Sequence, residues 1–251
     1  MTEVRAEKIK PYDDSRAKGS QVREMFDTIA PAYDFMNRAM TFGIDKLWRR
    51  RAVRTVAGRC PRRILDVATG TGDLAIALAR RIGGATVTGI DLSEGMIEIG
   101  RRKIDAAGLA GRISLTAGDC LELPFDDDSF DAVTVAYGVR NFEHLDRGYD
   151  EMLRVLAPGG MLCVVELSTP VNPLVRPFYN LYTKAIIPAL GRLVSKDVRA
   201  YSYLPESIAA VPQGEAMTAL MEASGFTGAR FRRMTFGVCT IYIAYKNVTN
   251  N

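Results

Sequence analysis

Histidine is nearly missing from this 251-residue chain, with His144 its one imidazole. Four cysteines, Cys60, Cys120, Cys163 and Cys239, stand far apart with no C-x-x-C pair. That spacing supports neither a disulfide framework nor a zinc site, and isolated thiols suit a reducing, cytoplasmic setting without a metal. No stretch approaches the roughly 18 uncharged apolar residues of a spanning helix. The opening MTEVRAEKIKPYDDSR lacks the apolar centre of a secretory signal. A soluble protein, or one attached only peripherally to a membrane, is expected. With 47% hydrophobic and 25% charged residues, and 22 Gly and 11 Pro dispersed along the chain, collagen-like, coiled-coil and disordered classes are excluded.

Net charge is a modest +4, unevenly placed: residues 1–60 hold 13 Lys and Arg against 8 Asp and Glu, and the remainder is balanced. Lys46, Arg49, Arg50, Arg51 and Arg54 form the densest basic stretch. It reads either as a solvated helix face or as a surface for anionic lipid headgroups. No recognition motif accompanies it, so nucleic acid is not an expected partner.

From Ile64 onward, apolar runs alternate with helix-period segments, the pattern of βαβ units around a parallel sheet. Strands are expected over 63–68, 86–90, 113–117, 130–137 and 161–166. Leu74, Leu78 and Ile82 mark one helix face, and Tyr149, Met152, Leu153 and Leu156 another, which Pro158-Gly159-Gly160 stops. Ser93 is placed to cap a helix carrying Met96, Ile97 and Ile104. A helix from about Gln213 to Gly225 precedes two stretches, 229–234 and 238–245, close enough to pair antiparallel. The expectation is an α/β, doubly wound, mostly parallel seven-stranded sheet with ligand chemistry at its strands' carboxyl ends. Residues 1–60 form an N-terminal helical cap outside a domain at 61–251. An apolar, proline-interrupted segment at about 170–212 reads either as structural cover or as a lid over a lipid-chain slot.

Gly70-Thr71-Gly72-Asp73-Leu74-Ala75 matches G-x-G-x-x-G/A after a strand and before a helix, with Asp91 following 19 residues after Gly72. On pattern alone a dinucleotide would suit it. A pyrophosphate, however, prefers a helix N-terminus free of acid, and this turn carries Asp73 at the helix start and Asp66 in the strand before it. Two carboxylates suit the sulfonium and ammonium of S-adenosylmethionine. In that reading the backbone at Gly70 and Gly72 approaches the cofactor and Asp91 accepts from the ribose diol. Leu92 borders the adenine, Asp119 accepts from its amine, and the Cys120 backbone meets the ring.

The chain resembles the quinone-biosynthesis C-methyltransferases that act on demethylmenaquinol or a polyprenyl methoxybenzoquinol. The resemblance rests on Met25-Phe26-Asp27-Thr28-Ile29-Ala30-Pro31-Ala32-Tyr33-Asp34-Phe35-Met36-Asn37, the glycine turn, Tyr137-Gly138-Val139-Arg140-Asn141, Arg154 to Gly160, and Tyr201 to Ile208. It implies the class I S-adenosylmethionine-dependent methyltransferase fold, no metal, and cofactor contacts at Thr71, Asp91, Asp119 and Cys120. A serine frequent in that family stands as Ala136 here, leaving only a backbone contact.

Methylating an aromatic carbon calls for a quinol stabilised as its oxyanion. Arg140, with its charged donor fork, and Asn141 are the expected grip on that oxygen, with Tyr33 folding over the cofactor to complete the site. Water, rather than His144, is the expected proton acceptor. Two rivals share the fold: a nucleotide-dependent oxidoreductase and a non-catalytic cofactor-binding subunit. The expected partners are a polyprenylated quinol and the inner membrane surface; whether the chain stays single or forms a homodimer is open at this point.

Overall fold

The computed structural model describes residues 4–12, 14–187 and 198–248. Strands β1 (Arg63–Val67), β2 (Thr86–Asp91), β3 (Ile113–Ala117), β4 (Phe130–Ala136), β5 (Leu156–Leu167), β6 (Thr227–Met234) and β7 (Cys239–Tyr245) form one sheet. Its order is β3-β2-β1-β4-β5-β7-β6; β7 is antiparallel to both neighbours and the other pairings are parallel. This is the doubly wound, seven-stranded arrangement that the periodicity predicts. The chain steps outward from β1 to β3, then returns to lay β4 on the other side of β1. Where the order reverses, the loops after β1 and β4 part and open a crevice.

The helices are α1 (Arg5–Lys8), α2 (Lys18–Thr41), α3 (Asp45–Ala57), α4 (Asp73–Arg81), α5 (Glu94–Ala106), α6 (Leu145–Val155), α7 (Arg176–Leu181), α8 (Val198–Ala210) and α9 (Glu215–Ala223). Leu74, Leu78 and Ile82 pack with Trp48 and Val53 of α3 on one face of the sheet. Tyr149 and Met152 of α6 pack with Met217 and Met221 of α9 on the other. Ser93 caps α5, its hydroxyl accepting from Met96 N at 3.1 Å. Across the strand ends, Met25, Ile29 and Met36 of α2 join Met96 and Tyr203 in a third apolar cluster. The described parts of 170–212 close over this roof; Pro188 and the rest of that segment through 197 lie outside the described residues.

Three boundaries differ from the periodicity. Leu156 belongs to β5, not α6, because Pro158 favours an extended residue before it and offers no N–H. The Pro158-Gly159-Gly160 stop becomes an irregularity in the strand, where the pairing jumps from Phe130↔Leu156 to Ala132↔Met161. Ala68 and Tyr137, read as strand ends, instead take left-handed backbone, with φ of 52° and 61°.

The N-terminus is pinned by an interior lysine. Lys18 is 1% exposed, and its ammonium donates to the carbonyls of Ala6 (2.7 Å), Arg140 (3.1 Å) and Phe142 (3.0 Å). Glu143 accepts from the N–H groups of Lys18 and Gly19 at the start of α2. Burial pushes the Lys18 ammonium down to about 8 despite Glu7 and Glu143 nearby. Replacing Lys18 by Met strips three buried carbonyls of their donor, so urea unfolding is expected to show a loss of about 2 kcal/mol or more; an unchanged midpoint contradicts this assignment.

Candidate functional site

The loops after β1 and β4 meet at the switch point. A Cβ on Gly138 would lie 2.5 Å from Ala68 Cβ, so only glycine permits that approach. Gly70 (φ 55°) is loosely surrounded, the Tyr33 ring lying 3.9 Å from where a Cβ would stand. Gly72 is different. The atoms that a Cβ there would meet belong to Leu115, Gly100 and Ile104, behind the turn. It serves the packing of α4 and is not among the residues lining the cleft, contrary to the expected cofactor approach.

The cleft itself gathers Gly70, Asp91, Leu92, Asp119 and Cys120 with Met96, Leu121, Tyr137 and Asn141, and α2 contributes Phe26 and Tyr33. Asp91 accepts from Gly70 N (2.8 Å) and Ser93 N (2.9 Å). Burial raises its pKa against those two bonds, and each oxygen keeps a lone pair for a further donor. Asp119, exposed, accepts from Leu121 N at 2.9 Å. The Cys120 thiol is pushed far up by burial and is inert. Asp27 on α2 accepts from Ser93 Oγ (2.6 Å) and Gly95 N (3.0 Å), clipping the cap to the start of α5.

Thr71 lies to one side, in a smaller polar chamber with Tyr33, Asp34 and Arg49. Its hydroxyl donates to Asp34 (2.6 Å). Lys103 of α5 bonds Asp34 (2.6 Å), Thr71 (2.9 Å) and Asp73 (2.5 Å). Arg49 bridges Asp73, at 3.3 Å, and Asp45. Although burial pushes the Asp73 carboxyl up, Lys103 and Arg49 hold it below its ordinary value. Asp73 is therefore ionised but already neutralised, which removes it as the cation-selecting charge expected from sequence. Arg49 likewise turns inward and leaves the basic stretch, whose Lys46, Arg50, Arg51 and Arg54 stay exposed. Asp34 and Lys103 were not visible in the sequence pattern, because nothing local links helices so far apart in the chain.

Beyond Tyr33 lies an apolar chamber of about 300 Å³, walled by Met40, Trp48, Tyr137, Arg140, Leu167, Phe178, Tyr182, Ile187, Leu204 and Val238. Tyr33 borders both spaces. Arg140 is buried, its Nη1 held by Glu166 Oε1 (2.8 Å) and by the Tyr137 carbonyl. Burial works against the guanidinium, but the Glu166 charge keeps it protonated. Asn141 is already engaged: Oδ1 accepts from Tyr203 Oη (3.1 Å), and Nδ2 donates to the Tyr137 carbonyl (3.4 Å). It ties α8 to the turn, with one amide hydrogen and one oxygen lone pair left over. Glu166 went unassigned in the sequence; a lone acid ending the apolar run Met161-Leu162-Cys163-Val164-Val165 was the available signal. His144 is exposed at the start of α6 and lines neither space.

The model of the ubiE/COQ5 methyltransferase family matches residues 14–246. The chain belongs to that family. It is 49% identical over 240 residues to a demethylmenaquinone methyltransferase of Bacteroides fragilis, covering 96% of this chain and 98% of that one. It is 44% identical over 230 residues to the ubiquinone/menaquinone biosynthesis C-methyltransferase UbiE of Geotalea daltonii, covering 91% and 97%. Among solved structures, a SAM-dependent methyltransferase from Aquifex aeolicus aligns with TM-score 0.55 at 18% identity over 73% of this chain and 81% of that one. The [4+2]-cyclase SpnF aligns with TM-score 0.59 at 20% identity over 92% and 96%. These structural likenesses show the fold, which serves more than one chemistry.

Asp66, beneath the glycine turn, accepts from Thr69 and Thr134, both at 2.6 Å. Burial nonetheless lifts its pKa to about 6. A carboxyl whose folded pKa exceeds its unfolded value favours the folded state at low pH and loses that contribution as pH rises through 6. Stability of the wild type relative to Asp66→Asn is therefore expected to fall by on the order of 2 kcal/mol between pH 4 and pH 7. Paired denaturant titrations at the two pH values check it, and a pH-independent difference refutes it.

Proposed function

We propose that this chain methylates a ring carbon of a demethylmenaquinol, a naphthoquinol with a polyprenyl tail, using S-adenosylmethionine. The observation that carries the reading is Arg140: a guanidinium buried and fixed by Glu166, facing an apolar chamber that adjoins the adenosine-shaped cleft across Tyr33. Membership of the family, and relatives named for demethylmenaquinone methylation, support the same substrate class. The G. daltonii relative's name also includes ubiquinone synthesis, which keeps the benzoquinol as the second reading. Mass analysis of quinones in cells lacking this protein separates the two.

The residues present fit the cofactor. Asp91 has lone pairs for a ribose diol, Leu92, Met96 and Leu121 border an apolar slot with Asp119 beside it, and Gly70 leaves the turn open. When bound, S-adenosylmethionine supplies an electrophilic methyl group on a positive sulfur. The chain's own part is positional and electrostatic. Arg140 stabilises the oxyanion of a quinol hydroxyl, lowering its pKa so that water takes the proton, and a ring with that charge has nucleophilic carbon. As the new carbon–carbon bond forms and the methyl–sulfur bond breaks, that carbon would lose its hydrogen as a proton to water and the aromatic ring would be restored. Tyr33 and Trp48 confine the ring, and Leu167, Phe178, Ile187 and Leu204 give it an apolar wall. Replacing Arg140 by Lys preserves a charge opposite Glu166 but loses the planar donor set. Methyl transfer is expected to drop about 100-fold or more, with S-adenosylhomocysteine affinity unchanged within a factor of about two by calorimetry; equal loss of both places Arg140 in the cofactor site instead.

The tail's route continues the chamber outward. Phe42 and Phe178, which line the chamber, are exposed, as are Leu174, Leu181 and Ile186 of the segment that carries Phe178, and the rings of Phe42 and Tyr182 are in contact, centroids 5.9 Å apart. Leu47, Arg50, Arg51 and Arg54 stand exposed on neighbouring α3. Among the described residues no helix is long and apolar enough to cross a membrane. An apolar rim beside a basic helix suits the surface of an anionic bilayer, and we assign this face as the docking surface on the cytoplasmic side. Phe178→Asp combined with Leu174→Asp is expected to abolish co-sedimentation with anionic vesicles; wild type that never co-sediments overturns the assignment.

A further inference from the structure

Among the described residues, two buried side-chain polar atoms have no hydrogen-bond partner: Nε of Arg140 and the hydroxyl of Tyr137. They sit three residues apart on one turn, and both residues line the apolar chamber. Folded proteins rarely leave such atoms unpaired, because the desolvation cost has no return within the protein. Both residues contribute to the wall of one cavity, with the two atoms just behind its surface, and a ligand with two polar atoms would supply the partners the protein lacks.

Tyr137 carries a second mark. Its backbone is left-handed (φ 61°), a conformation that costs a bulky residue free energy. The structure holds it there from several sides: its N–H donates to Val165 O at 2.7 Å, and its carbonyl accepts from Arg140 and Asn141. The ring stands edge-on to Trp48, centroids 6.5 Å apart. Cys239, Arg49, Asp45 and Glu166 are the ionisable groups that act on the phenol, and burial drives its pKa well above the ordinary tyrosine value. It is thus a neutral O–H donor throughout the physiological range.

We infer that the Tyr137 hydroxyl is a substrate contact that selects a dihydroxy aromatic ring: Arg140 Nε holds the oxygen beside the reacting carbon, and Tyr137 holds the oxygen across the ring. This rests on the quinol reading above. With both ends of the ring oxygens held, only one ring carbon is presented to the cofactor cleft, and a ring lacking the second hydroxyl leaves Tyr137 unpaired. Contact requires the side chain to shift toward the chamber, which its half-buried ring permits.

The test is Tyr137→Phe in the full chain, with a short-prenyl demethylnaphthoquinol as substrate and the matching prenyl naphthol, lacking the second hydroxyl, as competitive inhibitor. Expected are a loss of about tenfold in kcat/KM for the quinol, S-adenosylhomocysteine affinity within about twofold of wild type, and an inhibition constant for the naphthol equal in the two proteins. Because the hydroxyl is unpaired in the free protein, the melting temperature should hold or rise. A Phe variant as active as wild type on the quinol overturns the inference while leaving the proposed function intact. A lowered melting temperature with parallel weakening toward both aromatics also overturns it, as the mark of a merely structural tyrosine. Wild type inert on the quinol, seen before any substitution is compared, overturns the function itself.

Discussion

The buried pair of Arg140 and Glu166 is the constraint around which the site is arranged. An arginine out of water is costly unless a carboxylate meets it with good geometry. Here the parallel register of β4 with β5, which sets Ala136 opposite Val165, delivers Glu166 to the turn that follows β4. Glu166 also accepts from the main-chain N–H groups of Arg140 and Leu167, so it is fixed before it fixes anything else. One face of the guanidinium is consumed by this pairing. The remaining donor edge is what the site can offer to a ligand.

Segments distant in sequence converge on that same five-residue turn. Lys18, from the cap, ties down the carbonyl of Arg140 within it and of Phe142 just after it, and Tyr203 of α8 bonds Asn141. The turn is consequently held from the sheet, the N-terminus and the lid together. Loosening any one would move the guanidinium relative to the cleft, and a small displacement of such a group weakens charge stabilisation steeply. This convergence ties residues before the sheet domain to the geometry of the turn after β4.

Charge near the glycine turn is used differently from what its composition suggests. Asp34, Asp45 and Asp73 form one alternating network with Arg49 and Lys103, joining α2 and α3 to α4 and α5. Its members neutralise one another, leaving Asp91 and Asp119, bonded to main-chain N–H groups, as cleft acids with lone pairs to spare. Polar groups therefore close the cap over the turn while the adjoining chamber stays apolar. An oily ring and tail can enter without displacing the charged seal, and cofactor and substrate spaces remain separate across Tyr33.

By itself the sequence determined the strand and helix alternation, the glycine turn, the acid that ends β2 and the Tyr137–Asn141 block, because periodicity and local turn chemistry are short-range properties. It also carried enough of its family's motifs to indicate the reaction class. Only the tertiary structure decided which charges are free. Asp73 and Arg49 look available in sequence and are paired in space; Glu166 looks like the end of an apolar strand and anchors the arginine. Gly72 reads as a ligand contact and proves to be a packing contact. Asn141, which offers donor and acceptor on paper, bonds Tyr137 and Tyr203 with one of each. The reason is common to all of them: a side chain's role in a buried site depends on partners 24 to 62 residues away, farther than local periodicity reaches.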